Sequence, residues 1–152
     1  MKLNLKCGSN ILNDYLNIDK LDSSLPQELY KKGDYLNLDW LCQNESVEEI
    51  KSNDTICFSD LKDSINVINS WRSKLQNNGK LTFQFNDIYS LCKAFYNDQI
   101  NLEELNRGIF LQSNTISVFD RSYIVNLLMN NGFKIEKLFY QSLSVYIEAA
   151  RI

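Results

Sequence analysis

The chain has 152 residues, 44% of them hydrophobic and 23% charged, the balance of an ordinary folded domain, and one domain spanning residues 1–152 is expected. With 16 basic against 19 acidic residues the net charge is −3, so no broad basic face is available for nucleic-acid phosphates. No apolar run approaches the roughly 20 residues that cross a bilayer, and the N-terminal residues lack a signal-peptide pattern, so a cytoplasmic protein with neither a membrane nor a nucleic-acid partner is expected.

Histidine is absent, which removes Ser-His-Asp, Cys-His and zinc-hydrolase chemistries. The four cysteines, Cys7, Cys42, Cys57 and Cys92, form no CxxC pair, so they read as buried thiols and no metal site is expected. Asparagine is abundant, which reads as compositional bias rather than as a disordered tract.

Lys2 to Lys6 alternates polar and apolar residues and runs into the turn Cys7-Gly8-Ser9-Asn10. Tyr15 to Asp19 repeats the alternation after a very short gap. Parallel neighbours ordinarily need a crossover of about a dozen residues or more, so Ile11 to Asp14 is either a cut-down crossover or the two strands are not parallel. Pro26 suits the first turn of a short helix over Leu25 to Leu29, and Lys32-Gly33-Asp34 marks a turn at a third strand. Val47 to Ile50 reads as a fourth strand, followed by a turn at Ser52 to Thr55.

Asp60 to Leu75 carries Leu61, Ile65, Ile68, Trp71 and Leu75 at helical spacing, with Asn77-Asn78-Gly79 as its stop. Lys80 to Phe85 alternates as a fifth strand and ends at Asn86-Asp87. Helices follow from Ile88 to Tyr96, more weakly over Leu102 to Leu105, and from Ser122 to Asn130, with a loop containing Gly108 and Gln112 between the last two. Phe133 to Tyr140 and Leu143 to Ala149 form a terminal antiparallel hairpin. Strands alternating with helices predict a three-layer α/β fold, its sheet mainly parallel with an antiparallel C-terminal edge.

In such a sheet, ligands lie beyond the carboxyl ends of the strands, where chain order reverses. Those positions are polar here: Cys7 to Asn10 after the first strand, Asp19 after the second, Asp34 after the third, Asn53 and Asp54 after the fourth, Asn86 and Asp87 after the fifth. An acidic residue closing the second strand is placed to accept two ribose hydroxyls, while a glycine turn after the first admits the rest of a nucleoside. Each of these residues taken alone also reads as a plain turn residue.

Leu3-Asn4-Leu5-Lys6-Cys7-Gly8-Ser9-Asn10 followed by Tyr15-Leu16-Asn17-Ile18-Asp19 resembles the opening of small class I S-adenosylmethionine-dependent methyltransferases, which read LNLGCGSN and YxNVD. Asn44 to Ile50 is similar to that family's DNSVDEI strand, Trp71 to Leu81 to its WRRVLKPGGKL segment, Ile109 to Gln112 to its IFGGQ loop, and Asn131-Gly132-Phe133 to its AGF. The resemblance implies the Rossmann-like class I methyltransferase fold and S-adenosylmethionine as cofactor. Leu5, Lys6, Cys7 and Gly8 would line the methionine part of that cofactor and Asp19 would hold the ribose. Asp34 would contact the adenine region, with Tyr35 and Trp40 flanking it or belonging to the core. Asn53 and Asp54 would face both cofactor and acceptor.

The pattern departs from the family at informative places. Lys6 stands where the family has the first loop glycine, a residue that lets backbone approach a ligand with a φ only glycine adopts cheaply. The sequence leaves open whether this lysine blocks the cofactor, swings outward or pairs with the cofactor carboxylate. Asp54 to Phe58 replaces HVLEH, and Asp120 replaces a late histidine. Methyl transfer needs chiefly positioning, with a base only if the acceptor loses a proton. Asp54, Asp87 and Asp120 are the candidate catalytic groups, and Tyr89 a candidate for polar acceptor atoms.

The resemblance therefore implies methyl transfer to a small-molecule acceptor. The alternative is a methyltransferase fold that no longer catalyses and serves as a binding or interaction module, which Lys6 and the missing histidines favour. A nicotinamide-dependent oxidoreductase lacks its GxGxxG turn here. So short a chain leaves little to cap an acceptor pocket, and a homodimer partner would complete it.

Overall fold

The computed structural model describes residues 1–110 and 115–152. The expected loop glutamine Gln112, and the Leu111-Gln112 half of the IFGGQ-like segment, lie outside the described residues. Seven strands form one sheet: β1 (Lys2–Leu5), β2 (Leu16–Asp19), β3 (Tyr30–Lys32), β4 (Val47–Asn53), β5 (Leu75–Asn86), β6 (Phe133–Gln141) and β7 (Ser144–Arg151). Their order is β3-β2-β1-β4-β5-β7-β6, parallel throughout except for β7, which runs antiparallel to both neighbours. Among the described residues four α-helices, α1 (Ser64–Lys74), α2 (Ile88–Tyr96), α3 (Leu102–Ile109) and α4 (Arg121–Asn130), follow the fourth and fifth strands. None of the described helices is long and apolar enough to cross a membrane.

Strand alternation makes the two faces of the sheet chemically opposite. Leu16, Leu3, Ile50, Leu81, Ala149 and Ile135 stand side by side across six strands, while one residue further on lies the row Asn17, Asn4, Lys51, Thr82, Glu148 and Lys137. Successive side chains point to opposite faces, so the first row is core and the second is polar. The apolar face is covered by α1 and α4 through Val67, Ile68, Trp71, Ile124 and Leu128, with Trp71 tilted against Phe83 at 5.8 Å between ring centroids. On the polar face the Tyr15 ring sits against the ammonium groups of Lys2 and Lys51.

The short first connection is a true parallel crossover. Asn4 and Asn17, at matched positions on β1 and β2, are 4% and 0% exposed and do the work of the missing helix. Asn4 Nδ2 donates to the Asn10 carbonyl and to Asn17 Oδ1, both at 2.8 Å. Asn17 Oδ1 also accepts the Leu12 N–H, and Asn17 Nδ2 donates to the carbonyls of Leu12, Tyr15 and Leu29. Two side-chain amides thus satisfy backbone groups that a helix would have satisfied internally.

Several local expectations are corrected. Leu25 to Leu29 forms a single turn, not a helix, with the Pro26 carbonyl accepting from Leu29 and Tyr30; the chain must enter β3 at Tyr30, and no second turn fits. The helix expected from Asp60 begins at Ser64, because the Asp60 carboxylate caps a 3-10 turn over Leu61–Asp63. That offset rotates the helix, so Leu61 and Ile65 are exposed and Val67 is buried in their place. β4 runs on to Asn53, and β5 starts directly at Leu75, with its Asn77-Asn78-Gly79 turn bulged out between the pairs Val47–Leu75 and Glu49–Lys80. The weak helical stretch from Leu102 is two turns long because Asn101 and Glu104 form a reciprocal capping box.

Replacing Asn17 by Ala orphans the buried partners just described. We expect Asn17→Ala to lower the unfolding free energy by about 2–4 kcal/mol at unchanged m-value in urea denaturation.

Candidate functional site

Chain order reverses between β1 and β4, and the polar residues that follow these two strands and β2 enclose a cavity of about 390 Å³. Lys6, Cys7, Gly8, Ser9 and Asn10 form its floor on the β1 side, Asp19, Lys20 and Leu21 one wall, Asn53 and Asp54 the other, and Tyr35 closes the outer end. The crossover network positions the first wall: with β1 and β2 in register, Gly8 N–H donates to Asp19 Oδ2 at 2.9 Å and Lys20 N–H to Asp19 Oδ1 at 2.7 Å. The Asp19 residue is 7% exposed, held by backbone donors at the cavity's edge.

Three residues of the cavity loops have left-handed backbone: Lys6 at φ 53°, Gly8 at 52° and Asp54 at 54°. Glycine accommodates this freely, whereas a lysine and an aspartate are strained there. A Cβ on Gly8 would meet nothing within 4 Å, so that glycine serves the turn and not a tight contact. The outer wall depends on a different glycine. A Cβ on Gly33 would lie 2.1 Å from the Trp40 ring, and Trp40 Nε1 donates to the Asp34 carbonyl, which ties down the loop carrying Tyr35.

The charges are arranged in two groups. At the β2 end Lys20, which lines the cavity, pairs at 3.4 Å with Oδ1 of Asp34, which does not. At the β4 end the Lys6 ammonium stands 3.9 Å from the centroid of Phe58, which belongs to the buried 3-10 turn Thr55–Phe58. Burial lowers the Lys6 pKa from the usual lysine range, opposed by the Asp54, Cys57 and Asp19 charges. Burial likewise raises the Asp54 carboxyl, opposed by Lys6. Burial first, and then the Asp19 carboxylate, pushes the Cys7 thiol up to about 11; burial and the Asp54 carboxylate push Cys57 up to about 12. Neither thiol is a nucleophile at neutral pH. Tyr35, pushed up to about 12 by burial and then by Asp19, is a neutral phenol.

Of the residues anticipated for a cofactor, Lys6, Cys7, Gly8, Asp19 and Asn53 line this cavity, as does the candidate base Asp54. Leu5 does not: it is 1% exposed within the core cluster, because it is the last in-facing residue of β1. Asp34 also stands outside the lining, its carboxylate accepting the Leu36 N–H and the Lys20 ammonium. Ser9 and Asn10, read as polar positions after the first strand, line the cavity as well; Lys20 and Leu21 were not anticipated, and their only signal is adjacency to Asp19.

Asp87 and Asp120 are helix caps. Asp87, 1% exposed, accepts Ser90 N–H and Ser90 Oγ–H at the start of α2 and the Arg121 N–H through its other oxygen, while Asp120 accepts the Tyr123 N–H at the start of α4. Both line a second hollow with Tyr89, Arg121, Ser122 and Tyr140, and neither lines the cavity that holds Asp19.

The sequence matches no family model and no curated protein. Solved structures do match over 99% of the chain: a SAM-dependent methyltransferase from Methanosarcina mazei at TM-score 0.69 and 14% identity, covering 92% of that protein, and an S-adenosylmethionine-dependent methyltransferase from Mesorhizobium loti at 0.71 and 13%, covering 90%. The chain has the methyltransferase fold. A protein from Pyrococcus horikoshii superimposes at TM-score 0.72 with 16% identity over 99% of this chain and 81% of its own. The mainly parallel sheet with its antiparallel C-terminal edge, expected from the strand and helix order, and the Rossmann-like fold that the resemblance implied are thus the methyltransferase arrangement.

Two outcomes test the assigned roles. Asp87→Ala lowers stability by about 2 kcal/mol, through a lost cap and stranded amide donors, in thermal or urea unfolding. Near pH 8 a thiol reagent modifies the exposed Cys92 rapidly, and Cys7 and Cys57 only as the protein unfolds, because raised pKa values leave them protonated and buried.

Proposed function

We propose that the cavity binds the adenosyl part of S-adenosylmethionine and that the protein is a methyltransferase for a small-molecule acceptor. The observation that carries this reading is the Asp19 carboxylate, fixed beside the Gly8 turn at the reversal of strand order. A carboxylate there accepts two vicinal ribose hydroxyls, and Leu21 and Tyr35 offer apolar and aromatic surface to an adenine on the outer side. The adenosyl end of such a cofactor therefore fits the residues present. The 5′ substituent then extends toward Lys6, Asn53 and Asp54.

When bound, the cofactor would supply the methyl group. Within the chain, Asp54 is the one candidate base facing the same cavity, and its elevated carboxyl pKa suits it to hold an acceptor proton. Nucleic-acid acceptors are disfavoured by the net charge of −3.

The Lys6 side chain supports a second reading, a domain that binds an adenosyl ligand without transferring a methyl group. Its strained backbone and its ammonium against Phe58 support this reading, since they put a cation on the side of the cavity toward which the 5′ substituent would extend.

Calorimetric titration of the full chain with S-adenosylmethionine and with its demethylated thioether tests the common part of both readings. We expect wild type to bind at least one of them, and Asp19→Ala to lose about tenfold or more in affinity, the strength of a hydrogen bond to a charged group. Absence of binding to both from folded wild type would sink both readings. Methyl transfer to a panel of small amines, alcohols and sugars would then separate the first from the second.

A further inference from the structure

We propose that Lys6 is a built-in cation that takes the electrostatic place of a sulfonium, so that the cavity selects a neutral adenosyl thioether over a positively charged adenosyl sulfonium. The inference rests on the reading that an adenosyl group sits on Asp19. From there the 5′ substituent would extend toward the β4 wall, lined by Lys6 and the Asp54 carboxylate, and the turn that follows this wall, Thr55–Phe58, carries the ring of Phe58. An aromatic face and a carboxylate are the ordinary recognition elements for a desolvated cation. The aromatic face is already occupied by a cation of the chain itself. The Lys6 ammonium lies 3.9 Å from the Phe58 centroid, and the Asp54 charge acts on it most strongly of the neighbouring charges.

A second positive charge brought to this wall would meet an ammonium rather than a carboxylate, in a partly desolvated setting where like charges repel strongly. A neutral sulfur meets no such penalty, and it packs against the aliphatic stem of the lysine. The backbone supports a specific role for this side chain. Lys6 has a φ of 53°, a conformation that glycine would supply without strain, so the lysine is carried at an energetic disadvantage with its ammonium on the Phe58 ring. Any neutral adenosyl thioether satisfies the inference; the chemistry requires only the adenosyl group and an uncharged sulfur.

The test is the ratio of the two dissociation constants, measured by calorimetry on the full chain with S-adenosylmethionine and S-adenosylhomocysteine. Wild type is expected to bind the thioether about tenfold more tightly, the ratio that one cation–aromatic contact of ordinary strength corresponds to. Lys6→Met keeps the stem and removes the charge, and its ratio is expected to fall to about one or to reverse; Lys6→Arg is expected to keep the wild-type preference. Lys6→Gly, which relieves the positive φ, gives the same readout should the methionine variant fold poorly.

Equal or tighter binding of the sulfonium by wild type would overturn the proposal, as would an unchanged ratio in both charge-free variants. Binding of both ligands by the variants and of neither by wild type would show that Lys6 fills the cavity outright, and would also overturn it. Binding of neither ligand by any folded form would remove the adenosyl reading itself, an outcome distinct from the other three.

Discussion

The parallel pairing of β1 with β2 across a ten-residue gap is the constraint from which the site follows. A crossover of that length, residues 6–15, has no room for a packed helix, so its backbone groups and the polar side of the two strands must be satisfied some other way. Asn4 and Asn17 meet that need from within the sheet, turning toward the crossover and bonding four of its backbone carbonyls and amides. Once the crossover is fixed, the Gly8 amide and the Asp19 carboxylate are forced together at 2.9 Å. The cavity wall is therefore a by-product of how a helixless connection is held.

The same economy shapes the rest of the molecule. Both long helices on the sheet, α1 and α4, serve the apolar row that runs from Leu16 to Ile135, and on the opposite, polar row the Tyr15 ring lies against the ammonium groups of Lys2 and Lys51. Glu148, for example, takes the Lys137 and Lys80 ammonium groups on that face, which holds its carboxyl below the usual range. The charge in the cavity is offset locally: the Lys20 ammonium meets the Asp34 carboxylate just outside the lining, and the Asp54 charge acts on Lys6 within it.

Elements with a strong period or a strong punctuation residue were legible along the chain: the alternating strands at Lys80 and Phe133, the glycine turn at Gly8 and the acidic end of β2. The failures have local physical causes. Asp60 caps a turn that shifts the phase of α1, so counting apolar residues from Leu61 put Ile65 on the wrong side. Asp87, Asp120 and Asp54 are all short acids after a strand or in a late loop, and one-dimensional spacing treats them alike. The first two are spent on the amides of Ser90, Arg121 and Tyr123, whereas Asp54, with a left-handed backbone, turns into the cavity. Asparagine abundance looked uninformative, yet two of those asparagines hold the first crossover.

What the sequence determined by itself was the set of periods and breaks: which strands exist, that the last two form a hairpin, and that a glycine turn and an acid stand at the ends of the first two. These are properties of neighbouring residues, set by side-chain alternation and by backbone freedom at single positions. Only the tertiary structure decided which acids share a cavity, that Leu5 faces the core, and that Lys6 reaches across to the ring of Phe58. Those facts depend on the register between strands distant in sequence and on which amides compete for each carboxylate. Both are through-space relations, created only when β1, β2 and β4 come together.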